Sequence, residues 1–126
     1  MPASVVLIAD DDELLRQLMR RVLESSGFRV LAVADGDAAL AALAAAPDDI
    51  VVVVLDLVMP PHGGLETLAR LREIRPGLGV VLTSGLPPEK EVSELFAKQR
   101  AVFLKKPFAP EALRRAVGNF VAGAAG

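Results

Sequence analysis

Ile50-Val51-Val52-Val53-Val54-Leu55-Asp56 decides the fold: six aliphatic side chains without a break, then a carboxylate. A strand with one wet face alternates apolar and polar residues. This one does not alternate, so both of its faces must be buried, as in the middle of a parallel sheet. The run ends in a Pro/Gly loop, Met59-Pro60-Pro61-His62-Gly63-Gly64, which cannot continue it.

Working outward from this strand, short apolar runs alternate with amphipathic stretches. Upstream, Asp37 to Ala46 reads as an Ala/Leu helix closed by Pro47, and Arg29 to Val33 as a strand. Glu13 to Ser26 reads as a helix, with Leu15, Leu18, Met19, Val22 and Leu23 on one face and Arg16, Arg20 and Glu24 facing away; Gly27 ends it. Val5 to Ala9 is a further apolar strand, stopped by Asp10-Asp11-Asp12. Downstream, Leu65, Leu68, Leu71 and Ile74 mark a helix closed by Pro76-Gly77, and Val80 to Leu82 starts a strand that ends at Thr83-Ser84-Gly85. A helix is expected from about Pro88 to Arg100 with Val92, Leu95 and Phe96 inward, then a strand over Val102 to Leu104 ending at Lys105-Lys106-Pro107. Pro110 opens the last helix, whose inner face carries Leu113, Ala116, Val117, Phe120 and Val121, and the small residues from Ala122 to Gly126 are expected to fray. Five strand–helix units with apolar strands imply an α/β fold, a parallel sheet covered by helices on both faces. One domain is expected, with an ordered core over about residues 4–122.

Composition removes several function classes. With 126 residues and 52% hydrophobic content the chain can bury one real core. A net charge of −2 provides no basic face, so direct nucleic-acid binding is not expected. The absence of cysteine excludes disulfides and thiolate metal sites. Met1-Pro2-Ala3-Ser4 lacks the basic start of a signal peptide, and no apolar run approaches the roughly 20 residues that span a bilayer. A cytoplasmic domain without membrane contact is the expectation.

In open α/β sheets ligands bind outside the carboxyl ends of the strands. Here those ends carry Asp10 and Asp11, Asp56, Ser84 and Lys106. Carboxylates gathered at one rim repel unless a cation joins them, and oxygen donors without His or Cys select a hard cation, Mg²⁺ by preference. A metal and a lysine beside a carboxylate suit phosphoryl chemistry, with a hydroxyl to donate to a phosphate oxygen.

Together these segments resemble the receiver domain of response regulators, the chemotaxis type included, over nearly the whole chain. Leu7-Ile8-Ala9-Asp10-Asp11-Asp12 is similar to the family's strand and acidic pair, and Val54-Leu55-Asp56-Leu57-Val58-Met59-Pro60 to its phosphoacceptor segment. Leu82-Thr83-Ser84-Gly85 resembles the segment of the switch hydroxyl, and Leu104-Lys105-Lys106-Pro107-Phe108 the Lys-Pro-Phe segment. Each motif is short; all four, in order and at strand ends, are specific. The resemblance implies a doubly wound, flavodoxin-like sheet of order 2-1-3-4-5. It implies Asp56 as nucleophile, Mg²⁺ bound by Asp11, Asp56 and the Val58 carbonyl, and Asp10 acting through a bound water. Lys106 pairs with the phosphoryl group, Ser84 swings toward it, Phe103 changes rotamer, and the Lys106–Pro107 bond is cis. The implied partners are a histidine kinase or histidine phosphotransfer domain, and an effector or second copy on the face of the fourth helix, fifth strand and fifth helix. The implied protein is no enzyme in the ordinary sense, since it promotes only its own phosphorylation and dephosphorylation.

Several registers need argument. Asp12 and Glu13 fall in a first helical turn, where negative charge is favourable, which leaves Asp10 and Asp11 for the metal. Capping that helix stays an open reading for Asp12. Counting from Gly79, where the family often has proline, and setting Gly85 at the small-residue position selects Ser84 over Thr83. The functional lysine directly precedes proline, so Lys105 is left as a solvated edge charge. His62 reads as a solvent-exposed loop residue, and Pro61 and Gly63 depart from the glycine and acidic residue usual in this loop, which should stiffen it. A flavin carrier of similar topology would need a phosphate-friendly first loop and stacking aromatics; this chain has three aspartates there and no Trp or Tyr. A phosphohydrolase with an aspartate nucleophile would need an acid two residues on, where Val58 stands. An interaction module that takes no phosphate would not need the intact motif set. The end of the chain soon after the fifth helix fits a stand-alone regulator or a segment of a larger protein. Ser84-Gly85-Leu86-Pro87 resembles receivers attached to hybrid histidine kinases.

Overall fold

The computed structural model describes residues 4–58, 63–85 and 100–125. Five strands, β1 (Val5–Ala9), β2 (Arg29–Val33), β3 (Ile50–Asp56), β4 (Gly79–Ser84) and β5 (Ala101–Lys105), form one sheet of order β2-β1-β3-β4-β5. Every pairing is parallel. The described helices are α1 (Glu13–Ser25), α2 (Gly36–Ala45), α3 (Gly64–Ile74) and a C-terminal helix (Pro110–Ala125). The doubly wound order expected from the sequence is therefore the one observed. The helix expected over 88–100, with Val92, Leu95 and Phe96, lies outside the described residues apart from Arg100, as do His62 and the Met59–Pro61 segment.

The unbroken aliphatic run of β3 has the cause anticipated. Val53 and Leu55 pack with Ala39 and Leu43 of α2 and Leu68 and Leu71 of α3. Val52 and Val54 face the other way, against Met19 and Leu23 of α1 and Leu113 and Val117 of the C-terminal helix. One strand thus serves two cores, each fully buried aliphatic side chain contributing about 1.5–3 kcal/mol.

Helix ends follow local chemistry. The Asp12 carboxylate accepts the Leu15 N–H at 3.2 Å and that of Asp35 accepts the Ala38 N–H at 2.8 Å, so both are N-caps. The open reading of Asp12 is resolved as a cap. At the end of α1, Gly27 takes φ 94°; its N–H donates to the Glu24 carbonyl, and the Phe28 N–H to that of Leu23. This is a Schellman closure, which needs the left-handed residue that glycine supplies. Gly79 has a different reason: a Cβ there would lie 2.6 Å from the Phe120 ring, so its bare backbone admits the C-terminal helix.

Four expectations are corrected. Strand β5 begins one residue before Val102, because Ala101 still finds a ladder partner in Val80, whereas β4 runs from Gly79 to Ser84 as expected. The C-terminal residues continue the helix to Ala125 rather than fraying at Ala122, in keeping with the helix propensity of alanine. Leu18 does not join the buried stripe of α1: it is 51% exposed, and Leu14 beside it 69%. Arg16 does not face away, as described below.

Candidate functional site

The register sets the rim. Ala9 pairs with Leu55, Asp56 with Thr83, and Ser84 with Lys105, so the residues that follow or end these strands meet at one edge of the sheet. There the Lys106 ammonium donates to Asp10 Oδ2 at 3.0 Å and to Asp56 Oδ2 at 3.1 Å. The other oxygens are also engaged: Asp10 Oδ1 accepts the Asp12 N–H at 2.8 Å, and Asp56 Oδ1 the Val58 N–H at 3.0 Å. Asp10 and Asp56 are buried, while Asp11 is exposed. One carboxylate oxygen from each of the three lies within 4.8 Å of the others.

Two backbone features hold this arrangement. The Lys106 N–H donates to the Ser84 carbonyl at 2.7 Å, and the Lys106–Pro107 bond is cis, as the family resemblance implies. Behind Asp56, a Cβ on Gly64 would lie 2.5 Å from the Leu57 Cα and 2.9 Å from the Asp56 carbonyl oxygen, so only glycine lets α3 start this close. The Gly64 N–H donates back to the Leu57 carbonyl at 2.9 Å, fastening the phosphoacceptor-like segment to the helix.

Charge is out of balance. Burial pushes the Asp56 carboxyl above its usual range, and the neighbouring Asp10 adds to this; the Val58 N–H and Lys106 oppose it without cancelling it. Burial alone would lower the Lys106 ammonium, but hydrogen bonds to Asp10 and Asp56 outweigh it and leave its pKa raised. Lysine therefore stays charged, yet a single ammonium shared between carboxylates does not satisfy them. Three carboxylates face one ammonium, and a divalent cation would balance the remainder. Oxygen-only donors at one partly open rim suit Mg²⁺, which accepts one or two carboxylates and keeps its other positions for water or phosphate. The residues present fit that ion.

The other sequence-derived residues fall as follows. Ser84 is buried at the end of β4. Strand alternation puts it on the face of Leu82, the face on which half-buried Phe103, the register partner of Leu82, packs. Thr83 is on the opposite face; its carbonyl accepts the Leu57 N–H at 2.9 Å, and its buried hydroxyl has no hydrogen-bond partner among the described residues. Val58 is 68% exposed and reaches the site through its backbone. Lys105 is exposed. Arg16 was missed: its Nη1 donates to the Asp10 carbonyl at 2.8 Å. The available signal was a cation in the first turn of a helix, where the macrodipole disfavours it. Beside Lys106 runs an apolar groove formed by Leu14, Leu15, Leu18, Pro107 and Phe108. No described helix is long and apolar enough to cross a membrane.

A family model described as response regulator receiver domain matches residues 6–118. The transcriptional regulatory protein CpxR of Klebsiella pneumoniae is 37% identical over 79 residues, which make up 63% of this chain and 33% of that protein. Protein-glutamate methylesterase/protein-glutamine glutaminase 2 of Anaeromyxobacter dehalogenans is 43% identical over 107 residues, 82% of this chain and 30% of that protein. The chain thus spans about a third of the length of these relatives. Among solved structures, the chemotaxis protein CheY4 of Vibrio cholerae is similar with a TM-score of 0.83 at 27% identity, covering 94% of this chain and 98% of that one.

Proposed function

Because this chain belongs to the response regulator receiver family, we propose that it is a phosphorylation-driven switch whose Asp56 takes a phosphoryl group from a histidine kinase or a histidine phosphotransfer domain. The observation that carries the reading is the buried Asp56 carboxylate, held by Lys106 next to Asp10 and exposed Asp11. In the transfer, the N–P bond of the donor phosphohistidine breaks, a bond forms between phosphorus and an Asp56 oxygen, and the imidazole leaves. Lys106 keeps Asp10 and turns its charge to the phosphoryl oxygens. Asp11, Asp56 and the Val58 carbonyl would hold Mg²⁺, with Asp10 acting through a bound water, and the ion would supply positive charge where two anionic groups meet. Water attack on phosphorus later returns the carboxylate and inorganic phosphate. The chain so promotes its own phosphorylation and dephosphorylation and acts on no separate substrate. The reading is of one cytoplasmic receiver domain. A stand-alone regulator and the receiver segment of a hybrid kinase would use this site identically. The effector or second copy would meet β5, an edge strand with Val102 exposed, and the C-terminal helix beside it, together with the expected fourth helix, which lies outside the described residues. A flavin phosphate is disfavoured by the aspartates after β1, which face the same rim.

Mg²⁺ is expected to stabilise the chain by relieving carboxylate repulsion. At ten times the dissociation constant the gain is about 1.4 kcal/mol, several degrees in Tm. Asp11→Asn should lose most of that shift in a melting experiment, and a parent curve unmoved by millimolar Mg²⁺ would remove the metal from the account.

The switch itself is tested by amide NMR with beryllofluoride, which mimics an acyl phosphate on Asp56. Shifts should spread from Asp56 through Ser84 to Phe103 in the parent. In Ser84→Ala, which forfeits one hydrogen bond worth about 1 kcal/mol, they should stay near the carboxylates. Equal spreading in both would take the coupling role from Ser84 and pass it to Thr83.

A further inference from the structure

Asp10 is tied at every polar group to a different part of the molecule. Its N–H donates to the Val33 carbonyl at 3.2 Å, its Oδ1 accepts from the Asp12 N–H, and its Oδ2 accepts from Lys106. The fourth tie is the carbonyl, which accepts from Arg16 Nη1 at 2.8 Å. That carbonyl belongs to the peptide unit whose nitrogen is Asp11's, so the Arg16 bond sets the plane from which the Asp11 side chain leaves. Asp11 needs this help: it is exposed, and among the described residues its carboxylate makes no hydrogen bond or ion pair.

Arg16 is also in an unfavourable place by local rules. It is the fourth residue of α1, near a helix N-terminus where the macrodipole disfavours a cation. Its side chain nevertheless turns back over that terminus and is half-buried there. Breaches of local preference concentrate at functional sites. We infer that Arg16 is a positioning residue that holds the Asp10–Asp11 peptide so that Asp11 presents its carboxylate to the divalent cation; this rests on the Mg²⁺ reading given above.

Two effects of opposite sign separate this role from simple electrostatics. If Arg16 acted only as a nearby positive charge, removing it would tighten Mg²⁺ binding. If it positions Asp11, removing it weakens binding, as loss of an outer-shell partner does, by about tenfold. The experiment is an MgCl₂ titration of the full 126-residue chain followed by amide NMR, in the parent, Arg16→Met and Arg16→Lys. Arg16→Met should bind Mg²⁺ about tenfold more weakly, and the Asp11 amide nitrogen should shift even without metal. Arg16→Lys, which keeps a donor and the charge, should recover most of the affinity. Should Arg16→Met not fold, Arg16→Ala, which also removes both donor and charge, carries the same expectation. Binding by the charge-free variant as tight as the parent's, or tighter, overturns the inference while leaving the metal site intact. A parent that does not bind Mg²⁺ at all overturns the metal reading itself, and the inference with it.

Discussion

Asp56→Asn is expected to abolish phosphorylation completely. Incubated with acetyl phosphate and Mg²⁺, the parent should gain the mass of one acid-labile phosphoryl group, and the variant none. The physical case is that the substitution removes the nucleophile and little else. An asparagine oxygen still accepts the Val58 N–H that Asp56 Oδ1 accepts at 3.0 Å. Burial already disfavours the Asp56 charge, so a neutral amide of the same shape costs the fold little. Asp10 is a poor substitute nucleophile, since its side chain is only 1% exposed, against 7% for Asp56. Asp11 is exposed and lacks the lysine contact. Phosphoryl label persisting in a folded Asp56→Asn protein would move the nucleophile to one of those two.

Lys106→Met is expected to slow phosphorylation by acetyl phosphate about 10²-fold, the scale on which losing one preorganised charge or donor at a developing anion is felt. The ammonium is the sole cation within hydrogen-bond distance of the Asp10 and Asp56 carboxylates among the described residues. Without it two buried carboxylates are left facing each other, so the metal-free variant should melt lower. Mg²⁺ should bind it no more weakly than the parent, because the cluster has become more negative. That combination of slower chemistry, lower stability and undiminished metal affinity distinguishes a charge role from a scaffold role. A variant phosphorylated at the parental rate would show that Lys106 is a structural ion-pair partner only.

The parts of this molecule that could be read in advance are those in which one residue type has one physical use. An aliphatic run as long as Ile50–Leu55 has to be a doubly buried strand, and its terminal aspartate has to lie at the rim. The family resemblance, through the proline after Lys106, picked out which lysine reaches Asp56. Residues with two uses were harder. Asp12 could cap or bind, and only the 3.2 Å bond to Leu15 N–H decides for capping. Periodicity assigned Leu18 to the core and Arg16 to solvent because it yields an angle around the helix, not what stands opposite. Leu18 lies over a groove rather than the sheet, and Arg16 bends back across the helix start to Asp10. The start of β5 was read one residue short because pairing with a neighbour, unlike hydrophobicity, leaves no mark in a single segment, as the ladder partner of Ala101 shows.

The central claim is that the phosphoryl group resides on Asp56 as an acyl phosphate. Sodium borohydride reduces an acyl phosphate to the alcohol but leaves free carboxylates and phosphoesters untouched, so a phosphorylated aspartate becomes homoserine. Peptide mass spectrometry of the parent after acetyl phosphate, Mg²⁺ and borohydride should find homoserine at position 56 alone, and none when Mg²⁺ is withheld by chelation. Homoserine at Asp10 or Asp11, or a phosphoryl mass that survives borohydride on Ser84 or Thr83, would contradict the account.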